Sequence, residues 1–148
     1  MSAVFLITPP FTQLNTPYPA TAYLKGFLNT KGISSFQADL GIEVTLALFS
    51  KEGLEKLFAH INQQAIPHSE NISRIIALQD DYIMTIDEVV AFLQGKNPTI
   101  AHRVCKRDYL PEAGRFSQLE DLDWAFGSMG NQDKAKHLAT LYLEDLSD

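Results

Sequence analysis

The opening of the chain pairs a short apolar run with a proline-rich turn. Ala3 to Ile7 is continuously apolar and β-rich, and it stops at Pro9-Pro10. Such a run is typical of a strand that is buried on both faces of a parallel sheet. The turn that follows extends from Thr8 to Pro19 and contains four prolines.

A helix and a second strand are predicted after this turn. One helical stripe carries Tyr23, Leu24, Phe27 and Leu28, and Gly32 stands where a left-handed helix end is expected. Ser34 to Asp39 predicts a second short strand, with Phe36 and Ala38 facing inward. The spacing of the two strands suits a right-handed β-α-β crossover.

From Ile42 onward the apolar pattern is helical. Ser50 and Ser69 are placed to cap helices, Pro67 interrupts the pattern, and Thr85-Ile86-Asp87-Glu88 matches a capping box. Further helices are predicted from Pro98 to Val104, from Leu119 to Phe126 and from Gln132 to Leu146, with a loop at 107–117. The predicted fold class is α/β: residues 1–41 form the opening β-α-β unit of a Rossmann-like parallel sheet, and residues 42–148 form a predominantly helical extension or insertion of the same domain.

Charge and cysteine content narrow the possible functions. The chain has 12 basic and 18 acidic residues, and no basic run is interleaved with aromatic residues, which argues against nucleic acid as a partner. The first apolar run is too short for a signal peptide or a membrane span, so the expected compartment is the cytoplasm. Cys105 is the single cysteine, which excludes an internal disulfide and any multi-cysteine metal site in these residues.

Two features predict that the chain is a fragment of a larger protein. A pair of parallel strands needs neighbouring strands and covering helices, and no convincing third strand is found. The last helix also ends in the acidic residues Glu144, Asp145 and Asp148, where the helix dipole disfavours negative charge.

The turn from Thr8 to Pro19 is the main candidate for a ligand site. It follows the carboxyl end of the first strand, the edge at which open α/β sheets bind ligands. Five polar side chains could hydrogen-bond a polar ligand: Thr8, Thr12, Gln13, Asn15 and Thr16. The segment lacks glycine and therefore cannot wrap a phosphate as a P-loop does. The alternative is a stiff connector without a ligand.

Other candidate residues have simpler structural alternatives. Asp39 could bind a ribose hydroxyl, but the role of helix N-cap near Gly41 is favoured. Cys105 and His102 share a helix face, yet a buried inert thiol is the common case, and the histidines show no metal-ligand spacing. The acidic clusters Asp80-Asp81 and Glu120-Asp121-Asp123 are interpreted as solvated helix faces. The aromatic group of Trp124 with Phe126 and Met129 is interpreted as core packing or a subunit contact.

The first forty residues resemble a known family. The order is Phe5-Leu6-Ile7-Thr8-Pro9-Pro10, Tyr18-Pro19, Ala22-Tyr23-Leu24-Lys25-Gly26-Phe27-Leu28, Lys31-Gly32-Ile33 and Asp39-Leu40. It is similar to the amino-terminal cobalamin (B12)-binding-type domain of radical SAM proteins, over residues 3–41. The resemblance implies that this segment contributes to a cobalamin site, with Thr8, Pro9, Pro10, Thr12, Gln13, Tyr18 and Pro19 as the candidate cofactor-binding residues.

The rest of such an enzyme would have to lie beyond these residues. The C-x-x-x-C-x-x-C motif that holds a [4Fe–4S] cluster is absent, so the resemblance places the cluster and S-adenosylmethionine in a radical SAM domain beyond residue 148. No D-x-H-x-x-G is present either, so cobalamin would be bound without a protein histidine on cobalt. The alternative function is a non-catalytic helical interaction module that dimerises at its open sheet edge. A small independent enzyme has the least support, because the sequence shows no recognisable pair of catalytic nucleophile and base.

Overall fold

The computed structural model describes residues 3–11, 19–64, 67–119 and 130–148. The chain divides into two compact units, Met1–Leu48 and Phe49–Asp148. This division reflects which residues contact each other, and it does not test a boundary that is based on family resemblance. The sequence-based boundary at residue 41, which separates a family-like segment from an extension, therefore remains a prediction.

The first unit contains a parallel strand pair. Strand β1 (Val4–Thr8) pairs with β2 (Ser35–Asp39) in parallel register, from Val4 opposite Ser35 to Thr8 opposite Asp39. Helix α1 (Ala20–Thr30) lies between them in the chain. Gly32 follows α1 with a φ of 67°, the left-handed conformation that ends many helices. The predicted strand–helix–strand order with parallel strands is confirmed.

The predicted burial of these strands is wrong. Phe5 is 60% exposed and Phe36 is 59% exposed, and neither Ile7 nor Ala38 is fully buried. Helix α1 has no buried residue, and its apolar stripe is also open. A two-stranded sheet cannot cover both of its own faces, so the apolar pattern that suits a central strand is here left largely in contact with solvent.

Helix α2 (Leu40–Leu48) completes the first unit. It begins directly after β2, and the backbone N–H of Ile42 donates to Asp39 Oδ1 at 3.1 Å. Asp39 therefore has the N-cap role that the sequence favoured. The helix contacts β1, but Ile42, Leu46 and Leu48 remain exposed.

The secondary-structure elements described in the second unit are all helical. Its α-helices and 3₁₀ turns are α3 (Lys51–Ile61), α4 (Glu70–Ala77), α5 (Gln79–Leu93), a turn at Pro98–Ile100, α6 (Ala101–Cys105), a turn at Gly114–Gln118, and α7 (Asn131–Leu146). Ser50 Oγ accepts from the N–H of Gly53, and Ser69 Oγ accepts from that of Ile72, which confirms both predicted caps. The described chain as a whole is thus a mixed α/β protein.

Three helix predictions differ from the structure. Thr85 lies in the middle of α5, where its hydroxyl donates to the Asp81 carbonyl, so the predicted capping box is wrong. Helix α5 begins six residues before Thr85, at Gln79, directly after Leu78, the residue that ends α4. Part of the predicted loop at 107–117 is the 3₁₀ turn. Leu119 is extended, and the rest of the predicted helix to Phe126 lies outside the described residues.

One core joins the helices of the second unit. Leu54 of α3, Ile86 and Val89 of α5, Val104 of α6 and Leu138 of α7 are each at most 1% exposed. Helix α5 packs against α3 and α7, and α7 also packs against α6. Burying side chains of this size stabilises a fold by about 1.5–3 kcal/mol each, before the cost of chain ordering is subtracted.

Candidate functional site

The carboxyl edge of the small sheet carries the sequence-predicted ligand site. Thr8 and Asp39 end their strands side by side, as register partners at this edge. Thr8 is only 3% exposed, and its Oγ1 makes no hydrogen bond within the part of the chain that the structure describes. A buried hydroxyl without a partner loses the hydrogen bonds it would make in water. Thr8 is therefore the polar group of this edge that most needs a ligand or a further chain segment.

The other predicted cofactor-binding residues are not brought together by the described structure. Pro9, Pro10 and Pro19 are exposed, and the Pro19 carbonyl accepts from Tyr23 N–H at the start of α1. Thr12, Gln13, Asn15, Thr16 and Tyr18 lie outside the described residues. Phe11, which the sequence analysis passed over, has a φ of 61° and an exposed ring. Few residues other than glycine adopt this left-handed backbone, which makes Phe11 an unusual position.

Among the remaining candidates from the sequence, Cys105 has a structural contact. Cys105 donates its thiol hydrogen to the Asn131 carbonyl at 3.2 Å, and His102 is exposed on the same short helix. Asp80 and Asp81 lie exposed in the first turn of α5, the solvated position that was expected. Glu120, Asp121, Asp123, Trp124, Phe126 and Met129 lie outside the described residues. Over the described ranges, no three histidine, cysteine or acidic side chains are grouped as metal ligands would be.

An apolar groove in the second unit was not anticipated. Its volume is about 450 Å³, within the size range of small-molecule sites. Helices α3 and α4, the segment before α4 and the end of α7 form its walls, through Leu57, Phe58, Ile61, Pro67, His68, Ile72, Ile75, Ile76, Asp145, Leu146 and Asp148. The sequence offered a partial signal, because α3 and α4 each carry an apolar stripe.

The acidic end of α7 contributes Asp145 and Asp148 to the lining of this groove. Asp145 is fully buried, and its Oδ1 accepts from the backbone N–H of Arg115 at 3.0 Å. Asp148 accepts from the Arg115 guanidinium at 2.8 Å and from the Asn71 side-chain amide at 2.9 Å. The bonds from Arg115 and Asn71 hold the pKa of the Asp148 carboxyl below its usual range. These contacts give the acidic helix end, which had suggested a fragment, a structural role inside the second unit.

Two tyrosines in ring contact lie in the core, with their planes tilted by 37°. The rings of Tyr82 and Tyr142 are 4.9 Å apart between centroids. The Tyr142 hydroxyl donates to the Tyr82 carbonyl and also lies 3.0 Å from Thr85 Oγ1. Burial raises the pKa of both phenols, and the negative charge of Asp145 raises that of Tyr82 further. The Tyr82 hydroxyl itself has no hydrogen-bond partner among the described residues.

Comparisons with known proteins leave the family open. No family model, no curated protein and no solved structure matches this chain. The likeness to cobalamin-binding-type domains therefore depends on the quoted residues alone. A search of the described helices finds none with the length and apolar content needed to cross a membrane.

Proposed function

We propose that the first unit is the opening β-α-β element of a Rossmann-like, cobalamin-binding-type domain of a radical SAM protein. The observation that carries the proposal is the parallel pairing of β1 and β2, which ends in Thr8 and Asp39 at one edge. This is the edge at which open α/β sheets bind ligands. The corrin itself is supplied only by the resemblance of residues 3–41.

The fit to a corrin can be judged at Thr8. Its buried hydroxyl lacks a partner among the described residues, and a corrin side-chain amide has both a donor and an acceptor to offer. Asp39 is less suited, because its Oδ1 already caps α2. Bound cobalamin would supply the alkyl-transfer or radical chemistry of its cobalt. Thr8 would hold the corrin edge, and Pro9-Pro10 would fix the adjoining backbone.

These residues cannot hold the iron–sulfur cluster of a radical SAM enzyme. A [4Fe–4S] cluster needs several thiolates, and Cys105 is the single cysteine in the chain. Its thiol is engaged with the Asn131 carbonyl. The cluster, S-adenosylmethionine and the reaction would belong to a radical SAM domain elsewhere in the polypeptide, and no catalytic step is assigned to the residues described.

A corrin-retention experiment tests the proposal. The protein encoded by the complete reading frame is mixed with hydroxocobalamin and desalted, and the visible corrin absorbance per protein is measured. We expect close to one corrin per protein and a several-fold loss of retention in Thr8→Val, which keeps the shape and removes the hydroxyl. Thr30→Val, an exposed change in the same unit, is the control. Absence of retained corrin in the unmodified protein would contradict the proposal.

A second candidate function is favoured by the exposed apolar residues of the first unit. These are Val4, Phe5, Ile7, Phe11, Tyr23, Leu24, Phe27, Ile33, Phe36, Ile42, Leu46 and Leu48. Residues 1–48 also carry only two lysines against Asp39 and Glu43, a balance of zero. An apolar surface with no net charge marks an interaction site, and an open strand edge favours pairing with a second copy. We propose a dimerisation module as the alternative.

The alternative gives a different experimental result. Sedimentation of the chain alone would show a concentration-dependent dimer, and Phe36→Lys would shift it to monomer. Lys56→Glu, a charge change on an exposed residue of the second unit, would leave the dimer unchanged. A protein that retains corrin and stays monomeric supports the cobalamin proposal, whereas a dimer without corrin retention supports the module.

A further inference from the structure

The residues that line the groove of the second unit are mostly apolar. They include Ile72, Ile75 and Ile76 of α4 and Leu57 and Phe58 of α3. A volume of about 450 Å³ and a mainly apolar lining with few polar groups are the usual properties of a small-molecule site. Leu57 is partly exposed, so the groove is open to solvent along α3.

The charged side chains that line the groove are acidic, although Arg115, which is not among the lining residues, pairs with Asp148 at 2.8 Å. Asp145 and Asp148 are its acidic lining residues, and no lysine or arginine is among the residues that line it. His68 is the remaining titratable side chain in the lining. Because Arg115 offsets the charge of Asp148, Asp145 carries the remaining negative charge, which repels a carboxylate or phosphate ligand and attracts a cation. The negative charge therefore favours an apolar ligand that carries a positively charged head group.

Asp145 provides an independent reason to expect a cationic or donor group. Its side chain is fully buried, Oδ1 accepts from Arg115 N–H, and Oδ2 has no hydrogen-bond partner within the described ranges. A buried carboxylate oxygen without a donor is costly, and such groups in native proteins have a specific reason. The unused acceptor belongs to a residue of the groove lining.

We propose that this groove binds an amphipathic amine, with its apolar body against Ile72 and Ile76 and its ammonium group at the Asp145–Asp148 end. The apolar walls supply most of the affinity, because they are removed from water on binding. The Asp145 carboxylate supplies selectivity for a positive head group, since Asp148 is already paired with Arg115. This site lies within the second unit and does not depend on the cobalamin proposal for the first.

Three eight-carbon probes that differ only in the head group test the charge selectivity. Octylamine, octanol and octanoate are titrated into the unmodified chain at pH 7, with binding followed by calorimetry and by the methyl NMR signals of Ile72 and Ile76. We expect octylamine to bind at least tenfold more tightly than octanol, octanoate to bind most weakly, and the two isoleucine signals to shift. Equal affinity for the three probes, or octylamine binding without these shifts, would overturn the proposal.

Two matched variants separate the carboxylate from the general charge of the protein. Asp145→Asn keeps an acceptor for Arg115 N–H and removes the charge, and we expect it to abolish the preference for octylamine over octanol. Glu144→Gln removes the same charge from the neighbouring exposed position and is expected to retain the preference. Loss of the preference in both variants would assign it to net charge, and its survival in Asp145→Asn would overturn the assignment to Asp145. The probe series on the unmodified chain decides the proposal even when Asp145→Asn fails to fold.

Discussion

The two units differ in what they bury. In the second unit, Leu54, Ile86 and Val89 are excluded from solvent by helices on several sides. In the described part of the first unit, the buried residues are Thr8, Ser35 and Gly41, none of which has an apolar side chain of any size. The first unit has apolar residues in abundance, but its two strands and two helices do not enclose them.

The comparison shows that a high content of apolar residues does not by itself produce a hydrophobic core. Burial needs apolar surfaces that face each other, and the free energy follows the area removed from water. The second unit meets this condition by packing α5 against α3 and α7. The first unit has secondary structure of the right type with uncovered faces, so its stability depends on whatever covers them. Under both proposed functions the exposed apolar faces of the first unit would be covered, either by a larger sheet or by a second copy of the chain.

A leucine pair gives the largest expected contrast between the units. Leu54→Ala removes a side chain that is 1% exposed, and we expect a loss of about 2–5 kcal/mol in the free energy of unfolding. Leu24→Ala removes the same atoms from a side chain that is 51% exposed, and we expect a change within about 0.5 kcal/mol. Urea unfolding followed by circular dichroism measures both. A loss at Leu24 as large as that at Leu54 would mean that the first unit is covered in solution.

A glycine pair tests whether the units are stabilised separately. Gly95 and Gly32 have φ values of 75° and 67°, and open space surrounds both Cβ positions. Alanine at either site adds backbone strain of roughly 1–2 kcal/mol without a steric clash. We expect Gly95→Ala to accelerate amide exchange across α5, and Gly32→Ala to accelerate it only in β1, α1 and β2. Exchange changes that spread across both units in either variant would show that they unfold together.

A tyrosine pair tests the buried hydroxyl network. Tyr142→Phe removes the hydrogen bond to the Tyr82 carbonyl inside the core, with an expected loss of roughly 0.5–1.5 kcal/mol. Tyr23→Phe changes an exposed phenol of the first unit and should leave the unfolding free energy unchanged within error. Chemical denaturation at pH 7 is the measurement. An unchanged midpoint in Tyr142→Phe would mean that the hydroxyl contributes nothing to the second unit.

Tyr109 provides a smaller, pH-dependent contrast. Burial, together with the hydrogen bond to Glu88, raises the pKa of Tyr109 to about 12, above the ordinary value of about 10. Because the fold favours the neutral phenol, its contribution to stability is complete below pH 10 and is lost as the pH rises towards 12. We expect Tyr109→Phe to lessen the fall in unfolding free energy between pH 10 and 12. An identical pH profile in the variant would contradict this role.

Local patterns predicted most of the elements. The apolar run before Pro9-Pro10, the stripe on α1 and the position of Gly32 identified the strand–helix–strand order, and Ser50, Ser69 and Asp39 were correctly identified as caps. These signals depend on residues within a few positions of each other. The capping box at Thr85 failed because the same residue types also occur inside a helix, where tertiary contacts with Tyr142 hold the hydroxyl.

The candidate sites were less accessible to sequence reasoning. Thr8 was identified because strand ends in parallel sheets have a known relation to ligand edges. The groove depends on side chains from α3, α4 and α7, and nothing in their local sequence fixes that these helices meet. Asp145 was judged by its position near a helix end, yet its role is defined by the Arg115 amide, thirty residues away in the chain.

By itself the sequence determined the type of most elements, since periodicity, proline, glycine and capping residues act through the local backbone. Only the tertiary structure decided burial: it enclosed Leu54 and left Phe5 and Phe36 exposed, although all three belong to apolar patterns. The physical reason is that solvent exclusion is a property of facing surfaces. Whether an apolar stripe becomes core depends on a partner element that the stripe itself does not encode.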